Sequence, residues 1–168
     1  KSKILEDLNL KSKSYFLVSI HREENVDNPK SLKSIISSLL ELKRKYGLPI
    51  IFSTHPRTKD RIGKLNLTSN IENEINFLKP FGFFDYNCLQ INSYCTISDS
   101  GTISEESSIL DFPAVTLRQS IERPEAIDTG TISLTGNGVE DFLQTIKIAT
   151  LSRKTELEMP REIPNEYM

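Results

Sequence analysis

The sequence is poor in cysteine, in net charge and in long apolar runs, and each shortage excludes a class of protein. Cys88 and Cys95 are the only cysteines, and no Cys/His cluster with zinc-like spacing surrounds them. Neither a disulfide scaffold nor a metal site is supported. Both cysteines are expected to be free, buried thiols in a reducing cytoplasm.

Charge and hydropathy narrow the range of partners. The 21 basic and 23 acidic residues leave a net charge of −2, which favours neither a nucleic acid nor an anionic membrane as partner. No stretch approaches the roughly 18 apolar residues of a membrane span, and the N-terminus is not a signal sequence. The protein is expected to be soluble and cytoplasmic, and any anion it binds must be held by a local site.

The chain has the length of one domain, since its 168 residues fit the usual prior of roughly 100–200 residues per domain. It begins at Lys1 without a methionine and stops at Met168 after a polar run with two prolines, so we expect a fragment of a longer chain. The pattern predicts a linker with a short helix at 1–14, a Rossmann-like domain at 15–152 and a C-terminal tail at 153–168.

Short apolar runs alternate with amphipathic segments along the chain. Residues 15–20 form a nearly continuous apolar run, typical of a strand that is covered on both faces. Asn28 and Pro29 are a typical helix start, and Gly47 is a typical helix end. Further strands are predicted at 50–53, 75–78, 95–98, 114–117 and 131–134, and further helices at 56–65, 84–92, 102–110 and 139–151. The alternation predicts an α/β fold, a Rossmann-like parallel sheet flanked by helices.

Ligands of such a sheet bind beyond the carboxyl ends of its strands, where the segment Ser-Asp-Ser-Gly-Thr at 98–102 opens a helix. Gly101 lets a ligand approach the backbone closely, and Ser100 and Thr102 carry small hydroxyl donors. The N–H groups at the helix start favour an anion such as a diphosphate. An ordinary helix cap with a glycine turn explains these residues equally well.

Two further charged segments are predicted near the same edge. Glu105 and Glu106 follow one turn into the helix, where they either accept hydrogen bonds from ribose hydroxyls or are surface glutamates typical of a first turn. The loop at 118–125 contains Arg123, which either clamps a phosphate or joins an Arg–Glu network that stiffens the loop.

A histidine and an aromatic loop complete the set of candidates. His21 follows the first strand, where its imidazole either stabilises or protonates a departing phosphate, or has a structural role. His55 has no supporting cluster and is interpreted as structural. In the aromatic loop at 81–86, Phe81 and Tyr86 are the better candidates for contact with a nucleobase, whereas packing is the expected use of the two phenylalanines between them, at 83 and 84.

Taken together, these motifs resemble the non-hydrolysing UDP-N-acetylglucosamine 2-epimerase family, in nearly collinear order from Tyr15 to Gly136. Three segments carry the resemblance: the His-Arg-Glu-Glu-Asn loop at 21–25, the Ser-Asp-Ser-Gly turn followed by paired glutamates, and Glu-Arg-Pro-Glu-Ala at 122–126. Each segment is weak alone, but their combination is specific.

The resemblance implies the C-terminal half of a two-domain, glycosyltransferase-B-type fold, with a UDP-sugar bound between the halves. By position, Ser100, Gly101 and Thr102 bind the diphosphate and Glu106 binds the ribose. Phe81 and Tyr86 are assigned to the uracil, Arg123 to the diphosphate and sugar, and His21 to the functionally important histidine of the cleft. No cofactor is implied, and the partners are an N-terminal domain and a second copy in a homodimer.

The family reaction explains why such groups are needed. The hydrogen at C2 of the sugar is not adjacent to a carbonyl, so the family eliminates UDP to give a 1,2-unsaturated acetamidoglycal and adds UDP back after protonation of the other face. The charge of the leaving group must be stabilised, and a helix terminus, an arginine and a histidine are suited to this. The carboxylates that move the C2 proton belong to the N-terminal half, so this chain alone is expected to bind without turnover.

Two departures from the common pattern leave the substrate open. Thr102 replaces a second glycine, and Phe81 stands where many members have glutamine. The pattern is closer to capsule and O-antigen enzymes that form UDP-N-acetyl-L-fucosamine from its talose epimer. Two rival functions are the UDP-sugar-binding half of a glycosyltransferase and a non-catalytic interaction domain on the same fold.

Overall fold

The computed structural model describes residues 2–67, 71–118, 131–133 and 139–158. Within them the strands form one parallel sheet in the order β3-β2-β1-β4-β5-β6. The strands are β1 (Phe16–Ser19), β2 (Ile50–Ser53), β3 (Asn76–Leu78), β4 (Cys95–Ser98), β5 (Ala114–Arg118) and β6 (Thr131–Ser133). This order is that of a doubly wound Rossmann-type sheet, so the predicted fold class is confirmed.

Helices occupy the connections between the strands. The described helices are α1 (Ile4–Asp7), α2 (Glu23–Val26), α3 (Pro29–Tyr46), α4 (Pro56–Gly63), α5 (Ile71–Glu74), α6 (Phe83–Asn92), α7 (Ile103–Leu110) and α8 (Val139–Glu158). No helix among the described residues combines the length and the apolar character that a membrane crossing requires.

Side chains of β1 alternate between the two faces of the sheet, and both faces are covered. Phe16 and Val18 join a core cluster that includes residues of α3 and α8, whereas Tyr15 and Leu17 join a second cluster with residues of α1 and α6. All four side chains are fully buried. Burial on both faces explains why the sequence shows an unbroken apolar run here.

The ends of α3 follow the sequence signals. Asn28 Oδ1 accepts hydrogen bonds from the backbone N–H groups of Lys30 and Ser31, at 3.1 and 3.2 Å. Gly47 ends the helix in the left-handed conformation, at φ 65°, which costs glycine little because it has no Cβ. The helix is thereby fixed at both ends, with its apolar face on the sheet.

Three local predictions are corrected by the structure. Residues 21–28, predicted as a polar loop, contain the helical turn α2, which buries Asn25 and Val26. The last helix does not end at residue 151 but continues to Glu158. Phe83 and Phe84, expected to pack, are 74% and 79% exposed because they begin α6 on its outer side and contact chiefly each other, with ring centroids 5.5 Å apart.

Both cysteines are free; Cys95 is buried in β4 and Cys88 is half-buried. Burial raises the pKa of the Cys95 thiol to about 12. The pKa is raised by folding, so this group's contribution to stability is complete below the thiol's unfolded pKa, about 8.5, and is lost as the pH rises toward the folded value.

We therefore expect the free energy of unfolding to fall by about 1 to 2 kcal/mol from this thiol between pH 7.5 and pH 10. Urea denaturation at the two pH values measures the fall. The free energy of unfolding of Cys95→Ala should be lower than that of the wild type at both pH values, but it should fall less from pH 7.5 to pH 10. Cys88→Ala should show the same fall as the wild type. Equal pH dependence in the two variants would contradict the assignment.

Candidate functional site

The candidate site lies where the order of the strands reverses. β1 and β4 are neighbours at the centre of the sheet, with Ser19 paired to Ser98 at their carboxyl ends. The connections that leave them run to opposite sides of the sheet, which opens a crevice between the two loops. His21 lies in the first loop and Ser100 in the second, so the register brings together two of the predicted segments.

A buried carboxylate joins the two loops. Asp99 is fully buried, and its carboxylate accepts hydrogen bonds from the backbone N–H groups of His21 and Arg22, at 3.1 and 2.8 Å, and from the side-chain amide of Asn25, at 3.0 Å. A carboxylate can be buried when hydrogen-bond donors replace the water around it. We call this arrangement the Asp99 clamp.

The His21 imidazole lies against the clamp. Its Nδ1 is 3.3 Å from Asp99 Oδ1, and 56% of the histidine side chain is exposed whereas none of the aspartate side chain is. One side of the ring therefore faces a buried anion and the rest faces the crevice. This is a suitable place for a group that interacts with a phosphate.

The turn at Ser100 leaves the start of α7 open. Ser100 Oγ lies 3.1 Å from Thr102 Oγ1, and the side chain of Thr102, the residue at the N-cap, accepts no hydrogen bond from the described backbone N–H groups of the first helical turn. A Cβ placed on Gly101 would have no atom of the described part of the chain within 4 Å, apart from its chain neighbours. Ser100 Oγ also accepts a hydrogen bond from the backbone N–H of Thr102, at 3.4 Å, as in a serine turn, and the space beside Gly101 leaves room for a ligand.

The Glu106 carboxylate accepts hydrogen bonds from two side chains. Among the described residues, no such pair of donors holds the neighbouring carboxylate of Glu105. Thr102 Oγ1 donates to Glu106 Oε1 and Gln90 Nε2 donates to Glu106 Oε2, both at 2.8 Å. A carboxylate offers about four lone-pair directions, so two remain for a ligand's hydroxyl groups. Glu105 is exposed on the same helix.

Phe81 and Tyr86 are half-buried and pack against the cluster that contains Tyr15 and Leu17. Burial raises the pKa of the Tyr86 phenol, and the carboxylates of Glu106 and Asp99 raise it further, although hydrogen bonds with Ser19 and Gln90 oppose the shift. The phenol is thus a neutral group close to Glu106. Tyr86 connects the predicted base contacts with the predicted ribose contact.

Two other predicted residues lie elsewhere or cannot be described. Arg123 and its loop lie outside the described residues. His55 is the N-cap of α4, where its Nδ1 accepts a hydrogen bond from the backbone N–H of Arg57 at 3.2 Å. The structural interpretation of His55 is confirmed.

An ion-pair group braces the His21 loop from the side of β2. Asp27, directly after α2, pairs with Arg57 and with Arg61 Nε, the latter at 3.2 Å, and Arg57 also approaches Glu23 at 3.7 Å. The Glu23 side chain is largely exposed and the others are partly exposed, so each pair contributes little alone, and together they connect the segment around α2 with α4.

Sequence reasoning missed Asp99 and Gln90. Asp99 stands in the segment singled out for its serines and glycine, directly after a strand that is buried throughout. An acidic residue directly after a buried strand indicates a carboxylate that needs hydrogen-bond donors from the fold, so the sequence could have identified Asp99. Gln90 has no such signal, because its importance depends on the approach of α6 to α7.

The comparisons with known proteins begin with the family. All residues from 1 to 168 match the family model described as UDP-N-acetylglucosamine 2-epimerase. The UDP-N-acetylglucosamine 2-epimerase of Methanocaldococcus jannaschii is 37% identical over 148 residues, which are 87% of this chain and 40% of that protein.

Solved structures agree. The UDP-N-acetylglucosamine 2-epimerase of Rickettsia bellii is 44% identical with a TM-score of 0.71, over 90% of this chain and 39% of that chain. A structure of Methanocaldococcus jannaschii UDP-GlcNAc 2-epimerase in complex with UDP-GlcNAc and UDP is 34% identical with a TM-score of 0.74, over 89% of this chain and 42% of that chain.

This chain spans about two fifths of the length of these relatives. That share fits the prediction of one half of a two-domain, glycosyltransferase-B-type fold. With the family model matched over every residue and a Rossmann-type sheet beneath it, the chain belongs to the UDP-N-acetylglucosamine 2-epimerase family.

Proposed function

We propose that this chain is the UDP-binding domain of a UDP-N-acetylhexosamine 2-epimerase. The observation that carries the proposal is the meeting of the His21 loop and the Ser100 turn at the reversal point of the sheet, joined by the Asp99 clamp. A relative of this family has been solved with UDP-GlcNAc and UDP.

In the proposed complex the diphosphate lies against the open start of α7, over Ser100, Gly101 and Thr102. Backbone N–H groups and the positive end of the helix favour its charge. Glu106, further along α7, accepts hydrogen bonds from the ribose hydroxyls. The crevice side of the His21 ring faces the phosphate that leaves with UDP.

Phe81 and Tyr86 are proposed to lie nearest the uracil, since Tyr86 is close to Glu106 and a base follows its ribose. Arg123 is proposed to act on the diphosphate and sugar by position in the motif alone. These assignments divide the nucleotide among α6, α7 and the loop after β1.

The reaction of the complete enzyme is proposed to be elimination and re-addition of UDP with inversion at C2, in a homodimer. The substrate is either UDP-GlcNAc with UDP-ManNAc, or UDP-2-acetamido-2,6-dideoxy-L-talose with UDP-N-acetyl-L-fucosamine. Proton transfer at C2 is assigned to the part of the relatives that this chain does not span. The chain alone should therefore bind UDP without epimerising a UDP-sugar.

Calorimetric titration of the 168-residue chain with UDP tests the proposal, with Gly101→Ala as the variant. None of the described residues occupies the space of the added methyl group, so the part of the fold that they form should be unchanged. A diphosphate that lies on the Gly101 backbone would meet the methyl group, and UDP affinity should fall at least about tenfold, equivalent to about 1.4 kcal/mol.

Gly63→Ala is the matched control, because a Cβ at Gly63 would also meet none of the described residues and Gly63 lies at the end of α4. Its UDP affinity should equal that of the wild type. Absence of saturable heat with UDP would overturn the proposal and favour a non-catalytic interaction domain. An unchanged affinity of Gly101→Ala for UDP would show that the diphosphate does not bind at this turn.

A further inference from the structure

We propose that Asp99 is a positioning residue that holds the His21 imidazole with its proton on Nδ1 and presents Nε2 to the crevice. The inference rests on the proposed function in one respect, since Nε2 matters for a ligand only if a diphosphate binds there. Asp99 itself touches no ligand in this arrangement.

The tautomer follows from the donors around the carboxylate. Asp99 already accepts hydrogen bonds from two backbone N–H groups and one side-chain amide, which are donors suited to an ionised carboxylate. An ionised carboxylate accepts hydrogen bonds and donates none. Nδ1 of His21, at 3.3 Å from Oδ1, must therefore carry a hydrogen to interact favourably.

Asn25 indicates how strongly the clamp is fixed. Its Nδ2 donates to Asp99 Oδ2, and among the described residues its buried Oδ1 has no hydrogen-bond partner. An unpaired buried acceptor is destabilising. Rotation of the amide would turn its oxygen toward the carboxylate, so the donation to Asp99 determines the orientation of Asn25 despite that cost.

The carboxylate also lies on a rigid support. It follows β4, which is buried along its length, and the backbone N–H of Asp99 is 3.4 Å from the carbonyl oxygen of Ser19 in β1. Its position is therefore set by the central pair of strands and does not depend on a ligand.

A chemical consequence concerns the phosphate. Neutral His21 with its proton on Nδ1 has a lone pair on Nε2, which takes a proton from solvent water and then shares it in a hydrogen bond with a phosphate oxygen. The adjacent anion of Asp99 stabilises the resulting imidazolium. The opposite tautomer would turn a lone pair toward Asp99 and lose the favourable interaction with that carboxylate.

The tautomer is measured by long-range proton–nitrogen NMR on the 168-residue chain at about pH 9, above the usual histidine pKa of about 6.5. The chain has two histidines, so a His55→Gln variant assigns the His21 signals. We expect Nδ1 to give the protonated, pyrrole-like signal and Nε2 the pyridine-like signal. Free histidine favours the opposite tautomer, and finding that tautomer at His21 would overturn the inference.

Two variants separate positioning from general stability. Asp99→Asn should lose the bias toward the Nδ1-protonated tautomer, whereas Asp60→Asn, which changes an exposed carboxylate of α4, should retain it. If Asp99→Asn does not fold, the tautomer of His21 in the wild-type spectrum still tests the inference. A folded Asp99→Asn chain with the wild-type tautomer would refute the role of Asp99.

A UDP titration of the same sample distinguishes this inference from the proposed function. An Nδ1-protonated His21 in a chain that fails to bind UDP would support the Asp99 assignment and refute the UDP proposal. UDP binding with an Nε2-protonated His21 would leave the proposed function intact and overturn the Asp99 assignment.

Discussion

Replacing Asp99 with alanine is expected to lower the free energy of unfolding by about 3 to 5 kcal/mol. The change removes the acceptor of the His21 and Arg22 backbone N–H groups, which are partly buried, and of the Asn25 amide, which is buried. Each unpaired buried donor costs roughly 1–3 kcal/mol, and entry of water into the space recovers part of the loss. The loss is a large share of a typical total stability of 5–15 kcal/mol.

Urea denaturation of wild type and variant measures this loss. Asp60→Ala is the matched control, since it also removes an aspartate, but one that is 60% exposed and pairs with Lys64 one turn away. The control should change stability by no more than about 0.5 kcal/mol. A loss below about 1 kcal/mol in Asp99→Ala would mean that the clamp contributes little to stability.

The second large effect is expected on binding. Glu106→Ala should weaken UDP binding by about 100-fold, because two hydrogen bonds to a charged acceptor are lost and a 1.4 kcal/mol difference corresponds to a factor of ten. The reference ligand is 2′-deoxy-UDP, which lacks one of the ribose hydroxyls. Wild type should prefer UDP over 2′-deoxy-UDP, and the variant should bind both about equally.

Glu105→Ala controls for charge and helix position, because Glu105 is the adjacent glutamate in α7 and is exposed. Its affinity for UDP and its preference over the deoxy ligand should match those of the wild type. Glu106→Ala also frees Gln90 Nε2 and Thr102 Oγ1, so its stability is measured in parallel. An unchanged preference for UDP in Glu106→Ala would exclude Glu106 as the ribose acceptor.

The sheet was predictable because local patterns and packing agree there. β2 and β4 have the predicted bounds, since their apolar runs are buried and turn residues interrupt them on both sides. The start of α3 was predictable because Asn28 and Pro29 act within their own helix turn. General rules for parallel sheets then limit the possible strand orders, and the structure gives the order.

Features that depend on tertiary contacts were not predictable from the sequence. The turn α2 contains Glu23 and Glu24 and appears polar, but burial of Val26 against the core stabilises it. Phenylalanine is usually a core residue, but Phe83 and Phe84 are exposed because α6 is oriented with Tyr86 and Leu89 facing inward. The partnership of Gln90 with Glu106 joins two helices and has no local signature.

The candidate site divides in the same way. The segments of His21, Ser100 and Glu106 were identified by residue type and by their predicted position at one sheet edge. These segments are connected by the acceptor at Asp99 and the donor at Gln90. Both roles depend on tertiary contacts and could not be predicted from residue type. Arg123 remains a prediction from the motif.

The Asp99 clamp joins residues that are 78 positions apart in the chain. During synthesis the His21 loop leaves the ribosome long before its acceptor at Asp99 exists. The Asp99 clamp therefore forms only after β4 has been added beside β1. The proposed nucleotide site at this edge would accordingly be complete only once the two halves of the sheet have joined.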